Sequence, residues 1–273
     1  ATHRFIHTNW YPLFSPDREP AANAWHVATD DTWPSLDSNI SPHTATIHIP
    51  QGQSVVYSGS DGIKLDKIIV EGSLIIEPAD SNVKLTVGTI VIEKGGSLDI
   101  LTSDANSHTV TIEIDGALDN SIDPEEIMLG VLALEGNLTV SGNDVATKMA
   151  PLAQAVVAGS STLEVDDPSG FEAGGELVLP DTQEGLNVGH WNFPNNENYS
   201  DQTEHCIIVS ISGSQITCEA PFVYDHSAGF HVAYVTRSIV FKTSEESIDR
   251  GHILHTAGAG GLFKVHNARI ENF

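Results

Sequence analysis

The sequence predicts an all-β fold, a parallel β-helix carrying an inserted β-hairpin-rich segment, and three observations lead there. Glycines recur at positions 52, 72, 96, 116 and 136, in steps of 20, 24, 20 and 20 residues, and a fixed step of this size marks a solenoid. The text around them repeats as a short apolar strand, an acidic residue, glycine, a small residue, leucine and a second strand, as in Lys67-Ile-Ile-Val-Glu-Gly-Ser-Leu-Ile-Ile76. Such strands alternate with period 2 and meet at a glycine that permits positive φ, as one β-helix coil requires. Beyond Ala146 the step disappears and hairpin patterns replace it. Leucine-rich repeats have similar lengths, but their leucine and asparagine ladder is absent.

Taken in order, residues 1–43 read as an irregular N-terminal wrap, with Pro12, Pro16, Pro20, Pro34 and Pro42 and no sustained period. Residues 44–145 are the glycine-stepped β-helix. Its apolar phase places Val55, Ile69, Leu74, Ile76, Leu85, Ile90, Ile92, Leu98, Ile100, Ile112, Leu132, Leu134 and Leu138 in the core. Asp123-Pro-Glu-Glu-Ile-Met128 is the one helical signal, a turn or two with Asp as N-cap and Pro at the first position. Residues 146–230 are a hairpin-rich insertion with a long polar loop over 181–204, and residues 231–273 return to short β-helical strands. Cys206 and Cys218 flank an alternating run that folds back at Ser212-Gly213-Ser214. They read as a cross-strand disulfide, with two buried thiols as the alternative.

Composition limits the partners. The chain has 273 residues, 37 Asp and Glu against 12 Lys and Arg, and a net charge of -25. Nucleic acid is excluded, because phosphate binding needs clustered cations that this sequence lacks. No run approaches the roughly 18 apolar residues of a membrane span, so membrane insertion is excluded as well. An acidic, lysine-poor surface suits a salty or calcium-rich extracellular medium, where screening removes self-repulsion.

The glycine-stepped block, with Val157-Ala-Gly-Ser-Ser-Thr-Leu-Glu-Val165, Phe171-Glu-Ala-Gly-Gly-Glu-Leu-Val-Leu179, Pro221-Phe-Val-Tyr-Asp-His226, Val235-Thr-Arg-Ser-Ile-Val240 and Arg250-Gly-His252 in that order, resembles the eight-glycine-domain family. Its members include the cell-surface hyaluronidase, the protein of hyaluronan depolymerization, fibrocystin and many bacterial extracellular proteins, and this chain reads as a bacterial member. The resemblance covers about residues 44–273. It implies a right-handed parallel β-helix (solenoid), an extracellular or cell-surface location and, for some members, calcium-dependent depolymerization of hyaluronan. Members usually continue into a longer β-helix, so a larger assembly or a further C-terminal β-helix is an expected partner.

Glycan-handling sites need aromatic faces for sugar rings and carboxylates, His or Arg to move protons or hold charge. Trp191 and Tyr199, with Asn196, supply a substrate-binding surface on the long loop. The resemblance places Asp225 and His226, then Arg250 and His252, where the β-helix resumes, which makes these four the catalytic candidates. Arg250 would hold an acidic or hydroxyl group while His252 exchanges a proton with a glycosidic oxygen or the carbon beside a carboxylate. For each His the alternative is a hydrogen-bonded structural role. His252 and His255 fall on opposite faces of a strand and cannot share zinc. Calcium is the cofactor considered, with Asp30, Asp31, Asp37, Asp166, Asp167 and Asp181 in acidic turns as the oxygen donors. No motif for an organic cofactor is present. Three function classes follow: a glycoside hydrolase or polysaccharide lyase, a carbohydrate-binding or adhesive module, and a purely structural solenoid.

Overall fold

The computed structural model of the protein describes residues 25–28, 33–34, 45–59, 62, 64–103, 107–118, 128–182, 201–256 and 261–273. These form two units, one from residues 1–143 and 237–273, the other from residues 144–236. Unit 1 carries β1 (Trp25–Val27), β2 (Thr46–Ile49), β3 (Ser54–Tyr57), β4 (Lys64–Val70), β5 (Ser73–Ile76), β6 (Val83–Ile92), β7 (Ser97–Leu101), β8 (Val110–Ile114), β9 (Gly130–Leu134) and β10 (Asn137–Ser141). Unit 2 carries β11 (Met149–Pro151), β12 (Thr162–Glu164), β13 (Glu176–Leu179), β14 (Glu204–Ser212), β15 (Gln215–Cys218) and β16 (His231–Tyr234). The chain then returns to unit 1 for β17 (Ile239–Thr243), β18 (His252–Thr256), β19 (Phe263–His266) and β20 (Ala268–Glu271). Among the described residues there is no helix, and the helical signal at 123–128 lies almost wholly outside them.

Every strand pair of unit 1 among the described residues is parallel. Successive strands pass between a nine-stranded sheet and a five-stranded sheet, β3, β5, β7, β10 and β19 forming the second. Like residues therefore stack: Val55, Leu74, Leu98, Leu138 and Phe263 fall in one row. The N-terminal segment, expected to be irregular, supplies β1, which pairs with β2. Trp33 packs beside Tyr57 with ring centroids 4.6 Å apart.

Gly72, Gly96 and Gly136 each precede the stacked residues Ser73, Ser97 and Asn137 and so are equivalent. None of the three needs a positive φ. A side chain would instead collide with backbone carbonyl oxygens of the adjacent turn: Gln53 and Pro50 for Gly72, Val70 for Gly96, Glu93 for Gly136. Two expected equivalences fail. Gly52 falls one residue early, matching Gly95, and these two do hold φ of +84° and +87°. Gly116 lies after β8 near Gly88, at a different corner, so the stretch from Gly96 to Gly136 runs through β7, β8 and β9 without an equivalent glycine between.

The core phase also departs from a single alternation. β6 pairs with β8 over residues 83–87 and with β9 over residues 89–92. Its core-facing residues are Val83, Leu85 and Val87, then Ile90 and Ile92. The strand turns a corner at Gly88, where a Cβ would sit 2.8 Å from the Asp66 carbonyl oxygen. β4 follows with Leu65, Ile68 and Val70, which leaves Ile69 facing outward. In β9 the register against Ile90 and Ile92 gives the core to Val131 and Ala133, so Leu134 and Leu132 lie on the other side, where Leu132 is nonetheless fully buried beside Val91.

Unit 2 is an antiparallel six-stranded sheet in the order β11-β16-β13-β14-β15-β12. Cys206 and Cys218 form a disulfide with their Cα atoms 5.3 Å apart. A plain hairpin closed at Gly213 and Ser214 would set Cys218 opposite Val209, on the face away from Cys206. A bulge between Ile208 and Ser210 shifts the register so that Cys218 pairs with Ile208 and both sulfurs share the buried face. The link closes a sequence separation of 12. Reduction, or Cys206→Ser, should lower the unfolding free energy of unit 2 by roughly 3 kcal/mol in denaturant titrations.

The chain leaves and re-enters unit 1 at adjacent points. The Asn143 N–H donates to the Ser238 hydroxyl at 2.8 Å and to the Thr102 hydroxyl at 3.1 Å. Replacing residues 144–236 by a two-residue linker should therefore leave unit 1 folded, with cooperative thermal unfolding and strand-type circular dichroism.

Candidate functional site

The outer face of the nine-stranded sheet gathers charge. In register, Lys64, Thr86, Glu113, Lys242 and Glu271 form one outward row, and Lys84, Thr111, Val240 and Arg269 form the next. Glu113 accepts from Lys84 at 2.7 Å, Lys242 at 3.1 Å and the Thr86 hydroxyl at 3.2 Å. Burial opposes its charge, but the two ammonium groups outweigh that and hold its carboxyl below the usual range. Lys64 lies 2.5 Å from the buried Asp115 and 3.6 Å from Glu246, and its hydrogen bond to Asp115 raises the ammonium above its ordinary value. Arg269 pairs with Glu271. The sequence reading missed this group, because residues 84, 113 and 242 meet only through strand register.

Arg250 and His252 belong to the adjoining corner, between β17 and β18. The Ser247 hydroxyl donates to the Gly116 carbonyl at 2.6 Å, and Asp249 accepts from the Leu118 N–H at 2.9 Å. Gly251 is buried and donates to the Thr243 hydroxyl at 2.9 Å; a Cβ there would press on Ile114 at 2.9 Å. Arg250 is exposed. His252 opens β18 in the row of Lys67, Thr89 and Gly130, outside the core. His255 occupies the opposite phase, in line with Ala133 of the core.

Asp225 and His226 belong to unit 2. Asp225 is exposed and accepts the Ala158 N–H at 2.8 Å. His226 is 1% exposed. Its Nδ1 donates to the Pro180 carbonyl at 3.0 Å, and its Nε2 lies 2.9 Å from Glu204. With both nitrogens engaged and no face open to solvent, the ring ties Pro180 to Glu204. Glu204, unforeseen in the sequence, also accepts the N–H groups of Val223 at 2.8 Å and Tyr224 at 2.9 Å. Burial opposes its charge, and these N–H groups with His226 prevail, lowering its carboxyl below the usual range.

A carboxyl lowered by folding adds stability above its unfolded value of 4.5, and that stability disappears as pH falls through the folded value. Thermal midpoints should therefore drop as pH is taken below about 4.5, and Glu204→Gln should flatten that drop for unit 2.

Trp191, Asn196 and Tyr199 lie outside the described residues, as do Asp30, Asp31 and Asp37. Asp167 is engaged by Ser169 and Thr147, and Asp181 accepts the Gln202 N–H. Among the described residues no three His, Cys, Asp or Glu side chains converge to hold a metal. Of the expected calcium donors, Asp166, Asp167 and Asp181 belong to no such group, while Asp30, Asp31 and Asp37 are not among the described residues.

Residues 32–169 match the G8 domain, just over half of the sequence. The chain belongs to the G8 domain family. In this G8 protein the match takes in β2 to β10 and crosses at Asn143 into the first strands of unit 2. No curated protein matches the chain. Among solved structures, the Gp54 tailspike of Acinetobacter baumannii bacteriophage AP22, in complex with A. baumannii capsular saccharide, is similar at 14% identity with a TM-score of 0.29. The likeness covers 72% of this G8 chain, which spans only 30% of the tailspike.

Proposed function

We propose that this chain is the glycan-engaging part of an extracellular protein, with unit 1 a right-handed parallel β-helix that presents its outer face to the polymer. The observation that carries the reading is the outer-face ladder of Glu113, Asp115 and their lysines, laid across strands in register on a G8-family scaffold. A β-helix has no deep interior pocket, so a long polymer must lie along such a face. The disulfide fits an oxidising compartment. β18, β19 and β20 each pair on one side only among the described residues, which suits a further turn or a larger assembly.

Binding is preferred to turnover on a chemical ground. A carboxyl that serves as general acid at neutral pH needs its proton held well above the usual range, whereas Glu113 of the strip is pushed the other way; Glu93, which burial raises, lies in the turn after β6 and outside the strip. Turnover is the second reading, and it rests on Arg250 and the non-core position of His252. A glycan panel read for both affinity and product release, with and without calcium, separates the two. Binding of at least one glycan without product supports the module. Product release abolished by His252→Ala replaces it with the enzyme, and no binding to any glycan removes both.

A further inference from the structure

We infer that the charged strip of unit 1 is a binding site for a neutral, polyhydroxylated glycan and not for a polyanion. The inference rests on the glycan-engaging reading and deepens it. Four of the twelve Lys and Arg residues of the chain, Lys64, Lys84, Lys242 and Arg269, are the cations of the two rows that run through Glu113 and Thr111; Lys67 lies outside them, in the row of Thr89 and Gly130. Each has a carboxylate partner: Asp115 and Glu246 for Lys64, Glu113 shared by Lys84 and Lys242, and Glu271 for Arg269. Four cations meet four carboxylates, so the strip carries no surplus positive charge, in a chain of net charge -25. A polyanion would gain no net attraction there and would be repelled by the rest of the molecule.

Hydroxyl groups face no such penalty. The Lys84 and Lys242 side chains are 49% and 37% exposed, while Glu113 beneath them is 12% exposed. Each ammonium has three donors and Glu113 takes one, which leaves donors on the rim above an acceptor floor. A sugar hydroxyl both donates and accepts, so it can bridge rim and floor without displacing either ion pair. Strands stack about 4.8 Å apart, and the row from Lys64 to Lys242 crosses three such steps, a span of roughly 14 Å that exceeds one sugar ring. Charge-assisted hydrogen bonds to hydroxyls are insensitive to bulk salt compared with ion pairing to a polyanion.

Titration calorimetry on the full chain tests this with dextran, laminarin and galactomannan as neutral probes, and hyaluronate, alginate and heparin as anionic ones. At least one neutral glycan should bind, with little change between low and high sodium chloride, and the anionic probes should bind more weakly. Glu113→Gln, which keeps shape, and Lys84→Met with Lys242→Met should each weaken that binding about tenfold, the loss of one hydrogen bond to a charged group, with thermal unfolding confirming that each variant is folded. Salt-sensitive binding of an anionic probe alone overturns the inference and leaves the glycan reading standing. So does neutral binding that the folded strip variants retain. Failure of every probe overturns both.

Discussion

Gly96→Val should abolish the cooperative unfolding of unit 1, while the neighbouring Gly95→Ala should cost only about 1 kcal/mol. The two glycines are required for different reasons. Gly95 holds a φ of +87° in open space, so an alanine there meets nothing within 4 Å and bears only the conformational cost. At Gly96 a Cβ would run into the Val70 carbonyl and sit 3.1 Å from the Glu93 oxygen. Both are backbone atoms, and the Ser97 N–H is bonded to the Gly72 carbonyl of the preceding turn at 2.8 Å, so neither side can retreat without parting β5 from β7. Circular dichroism and denaturant titration of the two variants side by side would check this. A folded Gly96→Val protein would show that the turns are less tightly stacked than described.

Phe241→Ala should cost about 3–5 kcal/mol, as truncation of a fully buried phenylalanine does. Phe241 is wholly buried on β17, in the row of Leu85 and Ile112, where β17 is the strand that brings the chain back from unit 2. Its removal opens a cavity between β8 and β20, which pair with β17 on either side. Ile69→Ala is the matched contrast. Because Ile69 faces outward, its truncation should cost well under that of Ile68→Ala, where the side chain is in the core. Equal losses at 68 and 69 would contradict the corner at Gly88.

These contrasts mark what could be read in advance. The glycine step was legible because steric exclusion leaves glycine no substitute wherever one turn's backbone touches the next, as at Gly72, Gly96 and Gly136. Gly116 fell into the same spacing by sequence alone, and nothing local distinguishes it from the others. Ile69 and Leu134 face away from the core, and Leu132 is fully buried but on that same side beside Val91, because the phase of β4 and β9 is set by their neighbour β6 across a corner, information that periodicity within one strand does not contain. The disulfide was legible from its hairpin, yet the bulge that makes it possible was not. At the candidate site, Arg250 and His252 were found as a local phrase. Glu113 with Lys84 and Lys242 was not, since its partners come from strands 29 residues before and 129 residues after it.

Hydrogen–deuterium exchange with and without a bound glycan from the panel tests the central claim most directly, because it maps engagement without presuming which side chains act. Protection should fall on β6, β8 and β17 and on the corner at 244–252, all in unit 1. Protection confined to unit 2, or spread evenly over both, would contradict the assignment of the glycan-engaging face.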